Sequence, residues 1–146
     1  MRITETQRVL QIVGDLDRLV VGVRDPALKR VGLSREPWQV LRLLADGNGH
    51  AMGEISEVLG LAGATATRVV DSLVQKMLVY RRNDPFDRRR VLIHVAEPGL
   101  ELLKQVDEAM LEKTESMLAA FEPKERAALV QLLERLTSTS STAQRQ

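Results

Sequence analysis

The 146-residue chain contains no cysteine. Disulfides, thiolate metal ligands and thiol redox switching are therefore excluded. Aromatic residues make up only 3%, with one Trp, one Tyr and two Phe. That is too few for the stacking platforms that hold single-stranded nucleic acid. The two histidines, His50 and His94, lie far apart and lack the ligand spacing of a zinc site. Both read as structural or surface residues, and no metal or cofactor is expected. No serine has a His–Asp pattern beside it, so an enzyme is not expected. There is no apolar run long enough to cross a bilayer. Residues 1–11 lack the apolar core of a secretion signal, and the expected location is cytoplasmic. Charge is also scarce in net terms: 21 Lys and Arg stand against 20 Asp and Glu, giving +1. Nucleic-acid binding cannot rest on such a total; it would need a local concentration of one sign.

One stretch has that concentration. Residues 63–95 read GATATRVVDSLVQKMLVYRRNDPFDRRRVLIHV. Val69, Val70, Leu73 and Met77 fall on one helical stripe over 64–77. The opposite side carries Thr65, Thr67, Arg68, Asp71, Ser72, Gln75 and Lys76. A basic hairpin follows, with a turn at Asn83 to Phe86 and five arginines between Arg81 and Arg90, opposed by Asp84 and Asp87. Val91, Ile93 and Val95 then alternate as a strand. Just upstream, 51–59 reads as a short helix with Met52, Ile55, Val58 and Leu59 inward. Gly60 ends it where left-handed geometry is easily adopted. Helix, tight turn, helix and basic hairpin together outline a winged helix-turn-helix, with one helix for the major groove of duplex DNA and a hairpin beside it.

The flanks are helical. Residues 4–23 show a broad apolar face of Val9, Ile12, Val13, Leu16, Leu19, Val20 and Val23. Part of it is expected to meet a second subunit, the other reading being burial between layers of its own chain. Asp25-Pro26 is the expected end of this helix, with 27–32 a linker or frayed extension. A second helix spans 34–45, with Ser34 as its N-cap and Pro37 in its first turn. It carries Trp38, which reads as a core residue or, alternatively, as part of a ligand cavity. After Glu97-Pro98-Gly99 a long helix should run to about Ala120, and Pro123 should open a last one. Residues 137–146 are Ser/Thr/Gln-rich and expected to be disordered.

With these residues in view, the chain resembles the MarR family of bacterial transcriptional regulators over nearly its whole length. The run DPFDRRRVLIHVAEPG is similar to the family's D-P-x-D-R-R wing, strand and following helix start. ATATRVVDSLVQKMLVYR resembles its reading helix, and Trp38-Gln39-Val40-Leu41 falls at a similar run. The resemblance implies a mostly α (α+β) winged helix-turn-helix fold with the N- and C-terminal helices forming a dimerisation layer. The division implied is 1–32, a dimerisation helix and linker; 33–97, the DNA-binding domain; 98–137, C-terminal dimerisation helices; and 138–146, a disordered tail. It also implies a homodimer on double-stranded DNA at a near-palindromic operator, and a repressor released by a small aromatic ligand. Alternatives are a metal-responsive regulator of the same fold, or a winged-helix protein-interaction module without ligand response.

The chain departs from the family pattern in places. Ala51, Ala62 and Ala96 stand where Ser or Thr caps are usual, a loss of about 0.5–2 kcal/mol each. Ala62 suggests weaker or differently made backbone contacts, or a helix that starts a residue or so later, near Thr65. Met77 occupies the usual glycine position, implying either an exit that is not left-handed or a small strain.

Expected roles follow from chemistry. Thr65 either bonds a phosphate or caps its helix. Thr67 and Arg68 can reach a base edge or a flanking phosphate, and Arg68 can bond guanine through two donors. Ser72 and Lys76 would face phosphates. Asp87 should fold back onto Arg88, Arg90 or a backbone N–H. Arg89 can enter a narrow minor groove. Arg81 and Arg82 either touch phosphate or are merely solvated.

Overall fold

A computed structural model describes residues 2–143. In order, its elements are α1 (Glu5–Arg30), α2 (Arg35–Leu44), α3 (Met52–Leu59), α4 (Gly63–Gln75), β1 (Val79–Asn83), β2 (Val91–Val95), α5 (Glu97–Leu118) and α6 (Pro123–Ala143). The chain divides into two compact units, Met1–Met110 and Leu111–Gln146.

The first unit has one core. It is built from Val40, Leu41 and Leu44 of α2, Ile55 of α3, Val69, Val70 and Leu73 of α4, Val79 and Ile93 of the hairpin, and Leu103 and Val106 of α5. Each such side chain contributes about 1.5–3 kcal/mol on burial. β1 and β2 pair antiparallel, Val79 opposite Val95 and Asn83 opposite Val91. Gly99 of α5 lets that helix close on the hairpin. A Cβ there would lie 2.4 Å from the Leu78 carbonyl oxygen and 2.9 Å from Val95 Cγ2.

Three helices end in the same way. After α1, α3 and α4, the residue at the turn bonds back across the helix end: Gly32 N to Lys29 O, Gly60 N to Glu57 O, Met77 N to Val74 O. The next residue bonds one turn deeper: Leu33 N to Leu28 O, Leu61 N to Ser56 O, Leu78 N to Leu73 O. Such an ending places the turn residue in the left-handed region. Gly60 adopts it at φ 64°, as the sequence predicts, and Met77 adopts it at φ 59° as the one non-glycine with positive φ among the described residues. The exit from α4 is therefore the strained alternative. Met77 is 74% exposed and does not extend the apolar stripe.

Other expectations are corrected. α1 does not stop at Asp25-Pro26 but continues to Arg30 with Pro26 inside it. The lost hydrogen bond is offset by burial of Ala27 and Leu28 in the next turn. At its start, Thr4 and Gln7 form a reciprocal capping box. Ser34 occupies the N-cap of α2 but its side chain makes no capping bond. Pro37, three residues on, has no N–H to offer at the position such a cap would satisfy. Val58 points to solvent, not inward. α4 starts at Gly63 rather than near Thr65, with Ala62 as an uncapped N-cap.

In the second unit, Arg126 closes the turn between α5 and α6. It donates to Glu115 at 3.0 Å and to the Leu118 carbonyl at 2.8 Å. The Ser/Thr-rich segment expected to be disordered is helical as far as Ala143. Its hydroxyls bond the preceding turn, as Thr137 does to Glu134 O and Thr139 to Leu136 O, so helix and side chain are satisfied together. The remainder of that expectation, 144–146, lies outside the described residues.

Candidate nucleic-acid interface

The first-turn N–H groups of α4 have no side-chain cap, because Ala62 has no hydroxyl. Along α4, Ala66, Val69, Val70 and Leu73 are buried, which turns Thr67, Arg68, Asp71, Gln75 and Lys76 to solvent. Thr65 and Ser72 are half-buried at the margins of that face. Thr67, Arg68, Asp71 and Ser72 line a shallow concavity with Ala64 and Gln75.

The wing is braced at its base and at its tip. At the base, Arg81 pairs with Asp71 of α4. At the tip, two aspartates fold the loop by accepting backbone N–H bonds two residues on. Asp84 Oδ1 accepts from Phe86 at 2.9 Å, and Asp87 Oδ1 accepts from Arg89 at 3.1 Å. Asp84 N donates to Arg90 O at 2.8 Å and Arg90 N to Asp87 O at 2.9 Å. Asp87 thus folds onto backbone, as one of its expected alternatives. Neither the Arg88 nor the Arg90 guanidinium pairs with its carboxylate among the described residues; Arg90 instead pairs with Glu54 of α3 and lies 3.9 Å from Asp84. The reach to Glu54 crosses a long stretch of chain, so nothing local in the sequence announces it.

His50 extends this bracing. Its backbone bridges to Ile93 of β2 in both directions, N to O at 3.0 Å and back at 2.8 Å. Its ring lies between Asp46, at 2.8 Å, and Glu54, at 3.2 Å. The N–H of Asn48, and next the His50 ring, hold the Asp46 carboxyl below its ordinary range. His94 stacks on Tyr80 with ring centroids 5.4 Å apart. Both histidines are thereby tied into the base of the hairpin.

The outcome is a sorting of the arginines. Arg81 and Arg90 are held internally. Arg68, Arg82, Arg88 and Arg89, together with Lys76, form no ion pair among the described residues. Arg82, which the sequence left undecided between phosphate and solvent, is among the unpaired group.

Trp38 lies elsewhere. It packs on the core from α2, with the guanidinium carbons of Arg24 and Arg42 at 5.7 and 6.0 Å from its ring centroid. Its indole N–H is buried without a hydrogen-bond partner. Arg42 also donates to Asp107 of α5 at 3.0 Å. A cleft of about 690 Å³ opens nearby between the end of α1 and the start of α2, lined by Val21, Arg24, Asp25, Leu28, Lys29 and Arg35 among others. Trp38 is not in its wall.

Comparison with known proteins agrees with this geometry. The model of the MarR family matches residues 31–90, which span α2 to the wing loop. A Bacillus subtilis (strain 168) protein, the uncharacterized HTH-type transcriptional regulator YxaD, is 33% identical over 113 residues, covering 77% of this chain and 79% of its own. The chain belongs to the MarR family. A Thauera aromatica relative named for regulation of the hcr operon is 27% identical over 105 residues, covering 72% of this chain. The match spans 63% of that relative, just under two thirds of its length. The crystal structure of RV1404 from Mycobacterium tuberculosis superposes with a TM-score of 0.81 at 21% identity, covering 96% of this chain and 97% of that one. This MarR-family protein is a DNA-binding transcriptional regulator with a winged helix-turn-helix fold. No helix of the described residues is long and apolar enough to cross a membrane.

Proposed function

We propose that this protein is a cytoplasmic, sequence-specific repressor that binds a near-palindromic operator in double-stranded DNA as a homodimer and is released by a small aromatic ligand. The observation that carries the DNA reading is the sorting of the arginines. Those that brace the wing are neutralised by Asp71, Glu54 and Asp84, while Arg68, Arg82, Arg88 and Arg89 keep their charge for DNA. Arg68 and Thr67 take the major groove, Arg68 as a two-donor partner of guanine. Thr65, Ser72 and Lys76 take phosphates, beside the open N–H groups of α4. Asp87 shapes the loop that presents Arg88 and Arg89, and Arg89 enters the minor groove.

The homodimer reading is supported by apolar surface at both chain ends. α1 exposes Val9, Leu10, Ile12, Val13, Leu19 and Val20, and α6 exposes Val130, Leu132 and Leu136. Faces of this kind mark interaction surfaces. A dimer made through them would serve two half-sites roughly 34–36 Å apart.

Ligand release is supported by the cleft beside α1. Arg24, Lys29 and Arg35 in its wall outnumber Asp25, which suits an aromatic acid. Arg24 also lies over Trp38, so an anion that drew Arg24 away would be felt at the indole without touching it.

The test combines three measurements on the full chain. Sedimentation at micromolar concentration should give one dimeric species. Duplexes enriched from a random pool by the protein should bind more tightly than scrambled ones. Aromatic acids should change Trp38 fluorescence and weaken that binding together. A clean monomer with equal affinity for scrambled duplex would overturn the proposal.

A further inference from the structure

The Phe86 side chain has no role in the contacts assigned above. At 97% it is the most exposed large hydrophobic residue among the described residues. It does not sit on a slack loop. Its own N–H is held by Asp84, the loop is closed by Asp84 N to Arg90 O, and Pro85 fixes the backbone just before it. An aromatic ring kept in water on a braced loop has an unfavourable hydration, and at this exposure no packing among the described residues relieves it. Beyond Asp87, whose carboxylate is turned to the Arg89 N–H, stand Arg88 and Arg89 on the same loop, two cations with no ion pair among the described residues. An apolar wedge beside unpaired arginines, at the tip of a projecting hairpin, complements a polyanion with apolar gaps between its stacked rings.

Resting on the placement of the wing at the minor groove, we infer that Phe86 is a further DNA-contacting residue. Its ring enters the minor groove beside Arg89 and wedges against a base step, partly unstacking it and bending the duplex. Apolar side chains that enter this groove act in that way. The wedge confers a sequence preference without hydrogen bonds, for flanking TA or CA/TG steps that open most easily.

The test uses Phe86→Ala and Phe86→Leu in the full chain, with Arg89→Ala as a control on the wing. The probe is a duplex enriched by the unaltered protein and carrying 2-aminopurine at the flanking steps. Because the ring is in solvent, both Phe86 variants should melt as the parent does. Phe86→Ala should weaken binding roughly tenfold or more, the scale of burying an aromatic side chain. It should leave the salt dependence unchanged, since a neutral ring releases no counterions. The rise in 2-aminopurine fluorescence on binding should disappear, and Phe86→Leu should keep most of both effects. If Arg89→Ala weakens binding and flattens the salt dependence while Phe86→Ala stays within about twofold of the parent, the wing is in place and the inference about Phe86 is overturned alone. If both are silent, the placement of the wing fails and the inference with it. A changed sedimentation of DNA-free Phe86→Ala, with duplex affinity intact, would assign the ring to a second copy of the chain and overturn the inference.

Discussion

Met77→Gly should make the protein more stable. Met77 holds φ 59°, a conformation that costs an L-residue about 1–2 kcal/mol. Glycine removes that cost but gives the unfolded chain more freedom, which returns about 0.4–1 kcal/mol. The side chain is 74% exposed, so little packing is lost with it. The net expectation is stabilisation of about 0.5–1 kcal/mol, or a rise in Tm of about 1–4 °C for a chain of this size. Urea unfolding with an unchanged m-value is the assay. Met77→Ala serves as the control: it keeps the Cβ and the strain, so its stability should stay near that of the parent. Equal shifts for the two variants, or a loss of stability with glycine, would refute the argument from the left-handed exit.

Gly99→Ala should destabilise by about 1–3 kcal/mol in the same assay, because its Cβ would meet a backbone oxygen that cannot turn aside. The depressed Asp46 carboxyl makes a stability contribution that is complete above the ordinary carboxylate range and is lost as pH falls through and below it. Asp46→Asn should therefore lower stability at neutral pH and flatten the acid limb of its pH profile in thermal melts. Asp87→Ala should weaken duplex binding although it removes a negative charge, since the Arg89 N–H loses its acceptor. A wing that was only a basic tail would bind more tightly, which anisotropy titration would show.

The reading unit was legible because its signals are local. Gly60 marks the turn, Val69, Val70 and Leu73 mark the buried face, and the alternation of 91–95 marks the strand. The failures are places where distant or neighbouring atoms outweigh a local rule. Pro26 reads as a stop until Ala27 and Leu28 are seen to be buried beyond it. Ser34 reads as a cap until Pro37 is seen to lack the N–H. Which arginines remain unpaired was not legible at all, because Arg90 finds Glu54 across the fold and Arg81 finds Asp71 from the next element. Phe86 does carry a signal in the sequence, an aromatic residue between Pro85 and Asp87 in a turn with no apolar neighbour to bury it.

The central claim is that Arg68 on α4 and Arg89 on the wing contact DNA in different ways. Affinities of Arg68→Ala and Arg89→Ala on an enriched and a scrambled duplex, across salt, test it most directly. Arg68→Ala should cost roughly 1–3 kcal/mol more on the enriched duplex than on the scrambled one. Arg89→Ala should weaken both and reduce the salt slope by about 1. Unchanged binding of the enriched duplex by both variants would contradict the account.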